Sequence, residues 1–229
     1  MGDIAEKIYS IAVDGPSGAG KSSLAKAIAA ELHILYVDTG AIYRTIGCYA
    51  RRKGVETADT EAVIALLPEV EIGMCYDAQG LQHMLLHGED VTEEIRLPEM
   101  SLYASAVSAI PEVRAFLLEM QRDFARKSSV IMDGRDIGTV VLPHADVKIF
   151  LKADVEVRAR RREIELQERG TPRPYKQVLE EMRQRDYNDT HRSAAPLRAA
   201  EDAVIVDTSD LDFQQSKEKL LVLENTLKQ

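Results

Sequence analysis

The run Gly15-Pro16-Ser17-Gly18-Ala19-Gly20-Lys21-Ser22 constrains this chain more than any other part of it. It matches G-x-x-x-x-G-K-[ST] in full. Upstream, residues 8–13 (Ile-Tyr-Ser-Ile-Ala-Val) are a β-rich run. Downstream, Leu24, Ala25, Ile28, Ala29 and Leu32 recur at helical spacing. Strand, glycine turn and helix in that order separate a phosphate-binding loop from a chance glycine-rich turn. Glycines let the backbone wrap closely around a polyphosphate, with N–H groups pointing inward and the helix dipole adding to the attraction. Lys21 is then placed for the β- and γ-phosphates, and Ser22 for Mg²⁺, with Ser23 as the alternative hydroxyl. Gly15, Pro16, Ser17, Gly18, Ala19, Gly20, Lys21, Ser22 and Ser23 are the candidate nucleotide-phosphate residues.

The rest of the chain keeps an α/β rhythm. Residues 34–38, 130–133, 147–151 and 203–207 are short apolar strands separated by helical patterns. Such alternation predicts a parallel sheet covered on both faces, a three-layer α/β fold with about five parallel strands. Residues 60–67 predict a short helix ended by Pro68. Residues 70–76 and 81–86 flank Asp77-Ala78-Gln79-Gly80, a hairpin signal that interrupts the rhythm. The organisation expected is a core of residues 1–59 and 108–229, with 60–107 inserted as a small α/β subdomain. Pro111 opens a helix whose inner face is expected to carry Val113, Phe116, Leu117, Met120 and Phe124. An Arg-rich helix is expected over 154–168, another from about 175 to 187 or beyond, and a last one over 212–227 with a core stripe of Leu220, Leu223 and Leu227.

Charge narrows the function. Acids outnumber bases 38 to 29, for a net charge of −9, which argues against generic binding to a nucleic acid backbone. Residues 151–200 run the other way, with ten Arg and two Lys against nine acids. A basic segment in an acidic chain suggests a local anionic ligand. No apolar run approaches the roughly 20 residues of a membrane span. The N-terminus reads as no signal peptide, and Glu6 spoils a myristoylation match. Cys48 and Cys75 make no metal or disulfide spacing and fit a reduced, cytoplasmic protein. His83 and His87, four apart on a strand and its end, form no compact metal pair.

A phosphate loop implies a nucleotide without saying what becomes of its phosphate. A guanine-nucleotide switch needs Asn-Lys-x-Asp, and the chain has none. A kinase of a small anionic acceptor needs further cations for a second phosphate. Arg185, Asp189 and Arg192, at i, i+4 and i+7, supply two around a carboxylate if the helix continues. Arg158, Arg161 and Arg162 fall near one face of their helix, although surface ion pairs account equally well for Arg160 and Arg161. Asp133, closing an apolar strand, is a candidate Mg²⁺-side carboxylate. Tyr43 reads either as core or as a neighbour of the acceptor.

Further runs carry a resemblance. Asp38-Thr39-Gly40-Ala41-Ile42-Tyr43-Arg44, Gly88-Glu89-Asp90-Val91, Asp133-Gly134-Arg135-Asp136-Ile137-Gly138-Thr139, Arg185-Asp186 with Arg192, and Ala195-Pro196-Leu197 follow the phosphate loop in chain order. Together they resemble bacterial cytidylate kinases over nearly the whole chain. The resemblance implies transfer of the γ-phosphoryl of ATP, with Mg²⁺, to CMP or dCMP. It implies that the phosphate of CMP meets Arg44, Arg135 and Arg192, the ribose Arg185 and Asp189, and the base Ser105, Arg114 and Asp136, with Thr39 and Asp133 beside them. It further implies a monophosphate-binding insert and a short Arg-rich lid at about 158–175. Lys21, Arg158 and Arg162 are the residues expected at the transferring phosphoryl. The partners expected are ATP, CMP and dCMP, with no nucleic acid and no membrane, for a cytoplasmic monomer. The alternatives are a kinase of another nucleoside monophosphate or small acceptor, and a non-catalytic nucleotide switch.

Overall fold

A computed structural model describes residues 8–97 and 99–224. In chain order the elements are β1 (Ser10–Asp14), α1 (Lys21–Leu32), β2 (Leu35–Asp38), α2 (Thr39–Arg52) and α3 (Thr60–Leu66). Next come β3 (Ile72–Tyr76), β4 (Gln82–Leu86), β5 (Glu89–Asp90), α4 (Met100–Ser108), α5 (Pro111–Lys127) and β6 (Val130–Gly134). The chain finishes with β7 (Val147–Lys152), α6 (Val155–Glu168), α7 (Tyr175–His191), β8 (Val204–Asp207) and α8 (Phe213–Glu224).

A five-stranded sheet has the order β2-β6-β1-β7-β8, the strand count expected. β1 runs parallel to β7 with Ile11 opposite Val147, and β7 parallel to β8 with Ile149 opposite Val204. β6 is buried along its whole length and β1 from Ile11 onward. That is why both read as unbroken apolar runs rather than alternating ones. Two compact units divide the chain: residues 1–10 with 33–132, and residues 11–32 with 133–229.

The first unit holds a separate antiparallel sheet, β3-β4-β5. Its hairpin closes on Asp77, whose Oδ1 accepts from the N–H groups of Gln79 and Leu81, while Gly80 takes φ +75°. An Asx-type turn of this kind fixes the register, with Ile72 opposite Leu86 and Tyr76 opposite Gln82. In the second unit α6 and α7 pack through Ala159, Leu166, Val178 and Met182.

Several expectations change. On α5 the buried stripe is Val113, Leu117 and Gln121, while Phe116 is 42% exposed and Met120 and Phe124 are only half-buried. The stripe follows i, i+4, i+8 from Val113, and the aromatic pair lies one position off it. Gln121 tolerates burial by donating Nε2–H to the Leu117 carbonyl. Pro68 does not stop its helix outright: α3 tightens into a 3₁₀ turn, Leu67–Glu69, with proline in its first turn. The Arg-rich helix starts at Val155, and α7 runs on to His191. Leu220 is buried, while Leu227 and the side chain of Leu223 lie outside the described residues, as does the N-terminal segment with Glu6.

Gly47 shows how closely α2 and α4 pack. A methyl group there would lie 2.7 Å from Tyr103 Cβ, an atom fixed to the backbone. Helix propensity favours alanine over glycine by about 1 kcal/mol. Overpacking against an immobile neighbour costs about 1–3 kcal/mol. Gly47→Ala is therefore expected to lower the thermal midpoint by a few degrees, at about 2–4 °C per kcal/mol for a chain of this size. A raised midpoint in differential scanning calorimetry contradicts this packing.

Candidate active site

The phosphate loop is shaped by contacts that side chains would break. Gly15 has φ +147°, and a Cβ there would lie 2.1 Å from the Leu151 carbonyl oxygen. Gly18 has φ +76°, and its Cβ would lie 2.6 Å from Met182 Cε and 3.3 Å from Arg158 Cβ. β7, α6 and α7 thus press on the loop where it has no side chains. Lys21 opens α1 and is buried, its Nζ donating to the Pro16 carbonyl at 2.7 Å. No acid stands in the first turn of α1, so the positive end of that helix is left for an incoming anion. Burial, then the Arg135 guanidinium, pushes the Lys21 ammonium down to about 7. Ser22 Oγ donates to Asp133 Oδ2 at 2.9 Å, which joins a hydroxyl and a carboxylate beside that lysine. Hard oxygen donors of this kind suit Mg²⁺, which keeps most of its shell as water and phosphate oxygen.

The same unit crosses its remaining charges. Arg135 Nε donates to Asp189 Oδ2 at 2.8 Å, and Arg192 Nη2 lies 3.6 Å from Asp136 Oδ1. Burial alone would raise Asp189, but Arg135 and then Arg185 outweigh it and hold the carboxyl below its ordinary range. α7 carries Arg185 and Asp189 on one face and runs past the expected 187 to His191; Arg192 follows as its cap with extended backbone, φ −62° and ψ 143°, so it stands just beyond the helix rather than on its face. Past that end the chain is tied back: Leu197 N–H donates to the Asp189 carbonyl, and Arg192 Nε to that of Ala195.

On the Arg-rich helix the guanidiniums are engaged within the protein. Arg158 is 4% exposed and its guanidinium is engaged throughout. Nε donates to the Ala153 carbonyl, Nη1 to the Ser17 carbonyl at 3.0 Å, and Nη1 and Nη2 fork onto Asp186 at 3.1 and 2.5 Å. In this arrangement it fastens the phosphate loop to α6 and α7. Arg162 pairs with Glu165 on a half-exposed face. Arg161 donates to the backbone carbonyls of Thr208 and Leu211, and Arg160 pairs with Glu163 and covers the Tyr175 ring. Asp186, the partner of Arg158, was not among the expected residues. It is identifiable only through a contact 28 positions away in the sequence.

The other unit holds Thr39, Arg44, Ser105 and Arg114. Asp38 caps α2 by accepting from Ala41 N–H at 2.9 Å, and its second oxygen accepts from Arg44 Nη2 at 2.7 Å. Gln82 on β4 accepts from Asp38 N–H at 2.7 Å. A methyl on Gly40 would meet both Asp38 Oδ1 and Arg44 Nη1, at 3.1 and 3.2 Å, which explains the glycine in Asp-Thr-Gly. Arg114 lies 5.6 Å above the centre of the buried Tyr43 ring and donates to the Ser108 carbonyl. Ser108 Oγ in turn donates to the carbonyl of Ser105. Tyr43 is thus core and platform together. Sequence reasoning missed Asp38 as the holder of Arg44 and Gln82 as the support of Asp38, although an aspartate between strand and helix is itself a cap signal.

Residues 11–226 match the family model described as cytidylate kinase. A cytidylate kinase of Caldicellulosiruptor saccharolyticus is 48% identical over 217 residues, covering 95% of this chain and 96% of that protein. One from Pelotomaculum thermopropionicum is 48% identical over 205 residues, covering 90% and 91%. A crystal structure of an uncharacterized protein from Eubacterium ventriosum aligns over 95% of this chain and 99% of its own with a TM-score of 0.52 at 12% identity, a likeness of fold alone.

The state of Lys21 carries a prediction about protons. Before the nucleotide arrives, its ammonium is held down to about 7. A polyphosphate favours the charged form, so above pH 7 binding must recruit a proton and affinity must weaken as pH rises. At pH 8, calorimetry of ATP binding in buffers of different ionisation enthalpy is expected to show uptake of up to about one proton. Heats that do not depend on the buffer contradict this state of Lys21.

Proposed function

The chain belongs to the cytidylate kinase family, and on that premise we propose that it transfers the γ-phosphoryl of ATP to CMP or dCMP, giving ADP and CDP or dCDP. The observation that carries the reading is the crossed pair of ion pairs, Arg135–Asp189 and Arg192–Asp136, in the unit that holds the phosphate loop. A nucleotide switch has no use for a second cation set built around carboxylates. A kinase of a phosphorylated nucleoside needs one.

In the reaction a phosphate oxygen of CMP attacks the γ-phosphorus in line as ADP leaves. That oxygen is already ionised at neutral pH, the second phosphate pKa being about 6, so no protein base is needed. Catalysis is positioning and charge neutralisation. Lys21, Arg158 and Arg162 neutralise the transferring group, Arg158 from where it fastens the loop, with the loop residues Gly15 to Ser23 around the phosphates. Arg44, Arg135 and Arg192 hold the acceptor phosphate, and Arg185 and Asp189 the sugar. Ser22 and Asp133 are the oxygen donors that would hold Mg²⁺, which when bound offsets charge on the β- and γ-phosphate oxygens. Thr39 and Ser105 line the acceptor. Residues 60–107 act as the monophosphate-binding insert and about 158–175 as the lid.

Base choice follows from donors and acceptors. Asp136 accepts from the exocyclic amine of cytosine, as carboxylates do elsewhere. Arg114 donates to cytosine O2 and N3. Uracil presents a carbonyl where the amine was and a proton at N3, so it frustrates both groups. A site built around a hydrogen bond rejects an analogue lacking it by up to about 10⁴-fold. The protein works in the cytoplasm as a single chain on small nucleotides. The acidic balance of −9 and two free cysteines, Cys48 and Cys75, support that setting.

Asp136→Asn, which can offer either a carbonyl or an amine to the base, tests the reading. It is expected to lower kcat/KM for CMP by about 10²-fold and to compress the preference for CMP over UMP by at least as much. Lys21→Ala is expected to lower kcat by about 10²–10³-fold. Near-full CMP-dependent activity in Lys21→Ala, or an unchanged CMP preference in Asp136→Asn, overturns the assignment.

A further inference from the structure

Asp14, the last residue of β1, takes no part in the chemistry above, yet it is only 4% exposed. A buried carboxylate is costly unless its oxygens are satisfied. Both of them are. Oδ1 accepts from Ile137 N–H and Oδ2 from Gly138 N–H, each at 2.8 Å. The two donors are consecutive, so one carboxylate grips a single stretch of backbone at two points.

That stretch begins where the acceptor-reading residues end. Ile137–Val141 is a π-type turn preceded by Asp136, whose backbone sits at φ −147°, ψ 27°. The Asp136 carbonyl accepts from Val140 N–H at 2.9 Å and Val141 N–H at 3.2 Å. Asp136 is therefore pinned by its own carbonyl inside the turn and by the following N–H on Asp14. The surroundings leave little room to slide. A methyl on Gly138 would lie 3.4 Å from Asp14 Oδ2 and 3.2 Å from Lys148 Cδ. Turns of the π type are uncommon and concentrate at functional positions.

We infer that Asp14 is a positioning residue for acceptor recognition: by holding Ile137 N–H and Gly138 N–H it sets Asp136, and next to it Arg135, where they read the acceptor nucleotide. The inference rests on the proposed role of Asp136. Burial pushes Asp14 up to about 6 against its two backbone N–H bonds, with the Asp136 carboxylate adding to the rise and Lys21 opposing it. The group thus remains an anionic acceptor at neutral pH despite its surroundings. An apolar side chain here would leave the Ile137 and Gly138 N–H groups without their acceptors. The position of the turn asks for two acceptors on one side chain.

Asp14→Asn keeps the shape but offers one oxygen and one amine, so one backbone donor faces a donor. In the free protein, exchange of the Ile137 and Gly138 amides is expected to quicken about tenfold or more, while that of the β7 amides stays as in the wild type. In assays the CMP KM is expected to rise about tenfold and the CMP-over-UMP preference to fall, with the ATP KM within about twofold. If the variant does not fold, Gly138→Ala nudges the same turn and is expected to raise the CMP KM in the same direction. Unchanged exchange and an unchanged CMP KM overturn the inference. An ATP KM that rises as far as that of CMP also overturns it and assigns Asp14 to the phosphate loop. A wild-type protein without CMP-dependent turnover would sink the proposed function instead, and the exchange data would still decide whether Asp14 holds the turn.

Discussion

An ammonium is buried at the first turn of α1, and its surroundings are organised to answer it. Within its own loop Lys21 donates to the Pro16 carbonyl. Desolvation and the Arg135 and Arg185 guanidiniums disfavour its charge, while Asp133 and Asp14 favour it. Under the proposed function, an arriving polyphosphate adds negative charge beside that cation and favours its charged form.

Holding that arrangement falls to ion pairs and hydrogen bonds around the loop. Arg158 ties the Ser17 carbonyl, the Ala153 carbonyl and Asp186 together through one planar fork, a geometry lysine cannot reproduce. The phosphate loop is thereby fastened to α6 and α7 rather than left as a free turn. Asp189 does a related task for Arg135, and Asp38 for Arg44. In each case a carboxylate orients a guanidinium. Rigid supports of this sort are what keep a binding group within the small tolerance that chemistry demands.

Much of this was legible in the residues, and what was not has a physical cause. The phosphate loop could be read because its glycines are required locally, by φ values and by atoms such as the Leu151 carbonyl that leave no room for a side chain. The pairing of Arg185 with Asp189 could be read because a helix turns a spacing of four into one face, whereas Arg192 follows the helix end at His191. Arg158 could not be assigned, since nothing along α6 reveals that Asp186 and the Ser17 carbonyl will claim its guanidinium. Asp14 was passed over because its partners lie more than a hundred residues away and are backbone groups, which carry no sequence signature. Phe116 and Gln121 exchanged places because adjacent stripes of a helix differ by one position, and hydrophobicity alone chose the wrong one. α4 was not foreseen: its N-cap position, Glu99, makes no side-chain capping bond, and its small residues give a weak helical pattern.

The central claim is that the second cation set serves a cytidine nucleotide phosphate. Its most direct test is the rate of ADP release from Mg-ATP by the purified protein with CMP, dCMP, UMP, AMP or no acceptor. The account predicts fast turnover with CMP and dCMP and little with the others. Turnover led by UMP or AMP would contradict the base assignment, and a flat panel from protein that still binds ATP would contradict the claim itself.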